Sequence, residues 1–194
     1  MKRSAMVLAG LGLMWMGWVS AAAPKNYTVQ SGSSLTFQGT QQGEKFSGAF
    51  KNFDATIKMD DSASNASLFD VTIHLKSTDS KNAERDAALM SASWFDVAHH
   101  PDAHFKTVGF RSTPQGTVAD ADLTIRDKTK RIVFPYVFKK TPTGATLDAT
   151  VRLNRLDFGL GAGEWADDSM VGHAVDVVVH LSLSPSTSAD PAHR

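Results

Sequence analysis

The feature that most constrains this chain is a two-residue rhythm. In "LFDVTIHLKS", Phe69, Val71, Ile73 and Leu75 alternate with Asp70, Thr72 and His74. "FDATIKMD" sets Phe53, Ala55, Ile57 and Met59 on one face, and "TLDATVRLN" does the same with Leu147, Ala149, Val151 and Leu153. "HAVDVVVHLSLS" carries Val175, Val177, Val179, Leu181 and Leu183 at every second position. Successive side chains of a strand point to opposite faces, so this spacing describes sheet with one buried face. "ADLTIR" and "KRIVFPYVFKK" read as two more strands, and "SLTFQGT" with "KFSGAF" as a hairpin around Gly43. Turn-forming clusters separate the runs: "DDSASN", "TPQG", "RDKTK" and "KTPTG".

One segment departs from the rhythm. "NAERDAALM", Asn82 to Met90, is made of helix formers, with Asp79 or Ser80 placed to cap its start. Glu84 and Asp86 suit the positive end of the helix dipole, and Pro101 stops a second helix through "VAHHPDA". The expected fold is therefore all-β: about eight antiparallel strands and one short helical insert. A closed barrel and a sandwich are the two architectures that manage so many edges. About eight strands close around a space that side chains fill or that holds one small ligand. The aromatics, among them Phe46 and Phe158, are numerous for a thin core, although core filling alone also accounts for them.

The ends read differently. Lys2 and Arg3 precede "SAMVLAGLGLMWMGWV" and then "SAAAP", the order of a charged region, an apolar region and a small-residue cleavage site. Residues 1–23 are expected to be a signal peptide, which implies a periplasmic or secreted protein; a retained membrane anchor is the rival reading. The domain is expected over 24–183, and 184–194, "SPSTSADPAHR" from Ser184, as a disordered tail. The chain has no cysteine, so the fold stands without disulfides. Lys and Arg number 20 against 20 acids, and loss of Lys2 and Arg3 leaves 18 against 20, near −2. That balance gives no basic face for nucleic acid.

The chemically suggestive residues resolve into ordinary ones. His99, His100 and His104 lie near Asp96 and Asp102, but Pro101 removes the helix that would align His100 with His104 for a metal. There is no GxSxG around a serine, and the pairs Asp60–Asp61 and Asp167–Asp168 sit in turns. "GLGAG" at 159–163 lacks the following glycine and the βαβ frame of a phosphate loop. No catalytic residue and no metal site are expected.

Four blocks in order resemble the YceI-like family of polyisoprenoid-binding proteins. They are "SLTFQGTQQGEKFSGAFKNFDATIKMD", "NAERDAALMSASWFDVAHHPDAHF", "ADLTIRDKTKRIVFPYVF" and "LDFGLGAGEWADDSMVGHAVDVVVHL", within roughly residues 26–183. The second carries Arg85–Asp86, Leu89, Phe95–Asp96, Pro101, Ala103 and Phe105. The glutamine-rich hairpin, "WFD" and "VFPY" look most like a branch that often accompanies a membrane cytochrome of the b561 kind. Relatives usually carry glycine where Asp122 and Asp127 stand, and an acid where His173 stands; Asp127 is expected to hold the positive φ of its turn.

The resemblance implies an eight-stranded, lipocalin-like antiparallel barrel around a long isoprenoid chain. On that reading the protein binds a quinone or polyprenyl lipid for carriage or storage and is not an enzyme. A role beside a b-type cytochrome in quinone-linked electron transfer, a small hydrolase of apolar substrates, and a ligand-free barrel are the alternatives. Phe37, Phe50, Phe53, Leu89, Trp94, Phe95, Phe105 and Trp165 are expected to line the cavity, with Asn82, Arg85 and Asp86 at its polar edge. No cofactor is implied beyond the lipid or quinone itself.

Overall fold

The computed structural model describes residues 24–60 and 66–186. The expected signal peptide, and the tail beyond Ser186, lie outside them. The strands are β1 (Lys25–Val29), β2 (Ser34–Gln41), β3 (Glu44–Phe50), β4 (Phe53–Met59), β5 (Leu68–His74), β6 (Thr78–Asp79), β7 (Asp102–Thr113), β8 (Gly116–Ile125), β9 (Lys128–Thr141), β10 (Gly144–Asn154) and β11 (Ala174–Pro185). One helix, α1 (Ala83–Met90), lies between β6 and β7.

All the ladders are antiparallel, and the last strand closes the ring. β11 pairs with β10 from Asn154↔Ala174 to Ala145↔Leu183. Its other edge meets β2 at Phe37↔Val177 and then β1 at Val29↔Leu183. Thus β1 and β2 are one strand bent at residues 30–33. Likewise β3 and β4 share a corner at residues 51–52, and β5 and β6 are joined by the 3-10 turn Leu75–Ser77. Counted so, eight strands run up and down in sequence order and form a closed barrel.

The eight-stranded barrel agrees with the sequence expectation, but its strands are not the eight segments read from the alternation. β3 and β4 are halves of one strand. β7 escaped the pattern because its register with β8 shifts between Thr107 and Gly109. That bulge puts Thr107 and Phe110, three apart, on the inner side and breaks the two-residue count. β1 is short and has little pattern to show. β11 also runs to Pro185, so Ser184 and Pro185, expected in the tail, are paired with Thr28 and Tyr27.

Two local expectations are corrected. The N-cap of α1 is Asn82, whose side chain accepts the Arg85 N–H at 2.9 Å, rather than Asp79 or Ser80. In the β8–β9 turn, Arg126 holds the positive φ of 58°, not Asp127. A two-residue turn needs the left-handed bend first here, and sequence offers no rule for which neighbour supplies it.

The outer wall is laced by charge pairs set directly across the ladders. Arg131 Nε lies 2.6 Å from Asp122, Arg152 Nε 2.7 Å from Asp176, and His180 Nδ1 2.6 Å from Asp148, each in register. Opposed charges across strands add little individually but penalise a slipped register. His74 on β5 is held from both sides: Nδ1 is 2.6 Å from Asp102 and Nε2 is 2.9 Å from Asp54. Both nitrogens donate only in the imidazolium, so the Asp102 and Asp54 hydrogen bonds raise its pKa. A raised folded pKa means stability that is complete below about 6.5 and lost as pH rises through the folded value. NMR titration should give His74 a pKa above the ordinary histidine value, and Asp102→Asn should return it towards normal.

Backbone contact is tightest near the closing ladder. A Cβ on Gly144 would come 1.9 Å from the Leu183 carbonyl oxygen. Gly144→Ala should therefore cost about 3 kcal/mol by forcing β10 from β11. Chemical denaturation checks it: an unchanged midpoint would contradict this view of the closure.

Candidate ligand cavity

Burial along the strands locates an empty space. On β10, inward Ala145, Leu147 and Ala149 are buried, while inward Val151 and Leu153 are only half-buried. On β11, Leu181 and Leu183 are buried, while Val175, Val177 and Val179 are half-buried. Inward side chains lose cover towards one end of the barrel because nothing fills the interior there. The void measures about 340 Å³, within the usual range of small-molecule pockets.

The opposite end is sealed by rings. Phe69 packs edge-on against Phe110 and Tyr136, both at 5.1 Å between centroids. Phe105 and Phe134 stand 4.9 Å apart, and Tyr27 meets Phe138 at 5.4 Å. Phe69, Phe105 and Phe134 form the floor of the cavity. From Val175 to Leu181 the lining follows β11 for six steps, about 20 Å along the strand at roughly 3.3 Å per residue.

The walls nearer the mouth rest on paired glycines. Phe37 faces Gly48 and Phe46 faces Gly39 across the β2–β3 ladder. A Cβ on Gly48 would come 2.4 Å from the Phe37 ring, and one on Gly39 would come 2.9 Å from Phe46. Each ring therefore lies flat over a cross-strand glycine instead of standing into the void. Phe37 then contacts Phe50 at 5.2 Å, and Phe50 contacts Phe95 at 6.1 Å.

The segment between β6 and β7 builds the rim. After α1 the chain turns back over the helix end: Phe95 N–H bonds to the Leu89 carbonyl, and Val97 N–H to that of Met90. Asp96 makes this turn at φ 51° and accepts the His99 and His100 N–H groups on its carbonyl. The result drives Leu89 and Phe95 inward and leaves Asn82, Glu84 and Ala88 exposed at the opening.

Polar lining is confined to this end. Arg85 Nε donates to Gln41 Oε1 at 3.1 Å, and its guanidinium stands 4.1 Å over the Phe46 ring. Nη1 reaches only the Ser80 carbonyl, at 3.5 Å, and Nη2 makes no hydrogen bond within the described residues. Arg85 therefore offers donors at the mouth.

Arg155 does not. It is 3% exposed, and all five of its N–H groups are directed at carbonyls. Nε donates to Gly172, Nη1 to Leu160 and Gly161 at 2.7 Å each, and Nη2 to Val171 at 2.8 Å and to Trp165. Burial pushes its pKa below the ordinary arginine range, with Asp168 opposing the shift. Gly159 and Gly161 take positive φ of 72° and 62° so that the loop can wrap the guanidinium. The "GLGAG" run thus serves an internal cation.

Of the residues expected from sequence at the site, Phe37, Phe50, Phe53, Asn82, Arg85, Leu89, Trp94, Phe95, Phe105 and Trp165 all line the cavity. Asp86 does not. Its carboxylate turns back to accept the Ser80 N–H at 2.8 Å and steadies the turn into α1. Arg155, Phe46, the floor residues Phe69 and Phe134, and the valines of β11 were not anticipated. The alternation of β5 and β11 already pointed Phe69 and the valines inward; nothing local marked Arg155. The histidine-rich segment is dispersed: His99 pairs with Asp96, Asp102 with His74, and His104 with Thr72. Among the described residues no group of three or more such side chains converges to hold a metal.

The model of the YceI-like domain matches residues 27–183, the whole barrel. The chain belongs to the YceI-like family. Two Pseudomonas putida relatives called UPF0312 protein are 32% identical over 167 residues, spanning 82% of this chain and 87% of theirs. Burkholderia cenocepacia BcnA superposes on this YceI-like barrel with a TM-score of 0.74 at 26% identity, covering 79% of this chain and 98% of that one. A polyisoprenoid binding domain from Saccharophagus degradans shares the fold, with a TM-score of 0.66 at 14% identity over 82% of this chain and 98% of that one.

Removing the Arg155 guanidinium leaves five carbonyls of this YceI-like barrel, three of them buried, without their donor. Arg155→Met should cost about 3 kcal/mol or more, and Arg155→Lys should recover only part, since an ammonium has three donors. Thermal unfolding measures the loss, and faster amide exchange at 160–172 should accompany it.

Proposed function

We propose that this protein is an exported, non-enzymatic binding protein for a lipid with a long isoprenoid tail, of quinone or polyprenyl type. The observation that carries the reading is the blind apolar cavity: about 340 Å³, floored by rings and polar only at its mouth. Each tail carbon buried there contributes about 0.8 kcal/mol at most, so a few isoprene units suffice for tight binding without polar contact. The unfilled interior speaks against a barrel that merely supports itself. The name of the Saccharophagus degradans domain, which shares this fold, supports the ligand class.

The described lining contains Thr40, Gln41, Asn82, Glu84, Arg85 and Arg155 as its main polar members, with neither serine nor histidine. That set orients a head group more readily than it activates a nucleophile. Arg85, with donors free beside the opening, is the residue assigned to a quinone carbonyl or a phosphate. Delivery of a quinone to a b561-type membrane cytochrome is the form of carriage that the sequence resemblance favours, and the leader expected from the sequence of residues 1–23 favours the periplasm as its place.

Native mass spectrometry after gentle purification, followed by organic extraction, should find the protein carrying an isoprenoid lipid. Val177→Trp, halfway along the lining, should abolish uptake of added quinone or polyprenol and leave the unfolding temperature equal or higher. Repeated absence of lipid, with no uptake by the unaltered protein, would sink the proposal.

A further inference from the structure

A second depression lies on the outside of the cavity wall, where the β8–β9 turn passes under the insert. It is bounded by Ala92, Ser93, Arg126, Asp127, Lys128, Phe158, Gly159 and Ala162. Only Phe158 is common to the two spaces, so the depression is separate from the lipid cavity.

Its cations are placed in a way that the barrel does not require. Arg126 occupies its turn at φ 58°, where a residue with a Cβ is disfavoured and glycine would be at ease. The turn nonetheless presents a long cationic side chain. Nη1 donates to the Trp94 carbonyl at 3.1 Å. Nε is buried without a partner, the one such side-chain atom among the described residues. Buried donors ordinarily find an acceptor, so this guanidinium keeps hydrogen-bonding capacity that the protein itself does not use.

Lys128 adds the second charge. Its ammonium lies over Gly159, close enough that a Cβ there would stand 2.8 Å from Nζ. Gly159 thus clears the space above the loop for the amine. Lys128 makes no ion pair among the described residues, and the Ser93 hydroxyl has no hydrogen-bond partner there. Two acids are near. Asp127 is exposed on the rim and makes no ion pair, and Asp96 feels the charge of Arg126 but is engaged by His99. Neither carboxylate satisfies the two cations.

We infer that this depression is an anion site for a phosphate group, held between Arg126, Lys128 and Ser93. A guanidinium, an ammonium and a hydroxyl that border one depression suit an oxyanion with several acceptor oxygens. The phosphate comes either from a free phosphate or phosphomonoester, or from the head group of an anionic lipid in a membrane. The site does not depend on the lipid cavity being occupied.

The test is an amide NMR titration of the full mature protein with inorganic phosphate, ionic strength being held constant with chloride. Saturable shifts should cluster at Ser93, Arg126–Lys128 and Gly159. Arg126→Gly keeps the turn geometry and Lys128→Gln leaves the backbone alone; each should weaken binding roughly tenfold. Asp127→Asn should strengthen it, and uptake of lipid into the barrel should be unaffected by all three. A parallel arm measures co-sedimentation with vesicles of phosphatidylcholine with and without phosphatidic acid. Saturation by soluble phosphate alone assigns a free ligand; binding only to phosphatidic acid vesicles assigns a lipid head group. No saturable response in either arm, or a response that both cation variants retain, overturns the site.

Discussion

Everything in this molecule depends on the closure made by β11. That strand pairs with β10 on one edge and with β2 and then β1 on the other, so no edge of the main ring is left open. Closure turns the two-residue alternation into an enclosure, because every second side chain of every strand must point to one interior. With no disulfide, the ring is held by backbone pairing, the apolar packing within it and the charge pairs outside it. Gly144, pressed against the Leu183 carbonyl, shows how little slack remains where the ring joins.

The corners decide what the enclosed space is. A straight barrel of eight strands is just filled by its side chains. Here the bends at residues 30–33 and 51–52 divide the barrel into a sealed half and a wider half. In the sealed half, Phe69, Phe110 and Tyr136 interlock. In the wider half, Gly39 and Gly48 let Phe46 and Phe37 lie against the wall, and the β11 valines are too small to reach across. The insert and the Arg155 loop then shape the opening. Arg155 replaces a hydrophobic plug with a hub of five carbonyl contacts, which holds an irregular loop in place without filling the lumen.

The two arginines of the rim show why satisfaction of donors matters more than mere presence. Arg155 borders the cavity but has no N–H left to offer, so it organises the protein. Arg85 borders the same space with donors to spare, so it is the one that faces a ligand. Arg126, outside the wall, also has an unpaired donor. Three similar side chains thus have three different capacities, set by which carbonyls the loops bring to them.

Much of this was legible in the chain. Alternation determined antiparallel sheet with one buried face, because a strand's period is a local property of the backbone, and the family resemblance chose barrel over sandwich. The family pattern placed ten of the expected residues, such as Phe37, Phe95 and Trp165, on the cavity lining. It failed for Asp86, since adjacent residues of a helix point to different sides and only Arg85 turns inward. Alternation failed for β7, where one bulge removed the rhythm, and the expected turn at β8–β9 differs because Arg126 rather than Asp127 bends backwards. What only tertiary structure decided was which inward residues meet one another and which meet empty space. Leu183 and Val177 have the same sequence signature on one strand, yet one is sealed and the other faces the void. The difference lies in the rings and corners of other strands, which no local pattern records.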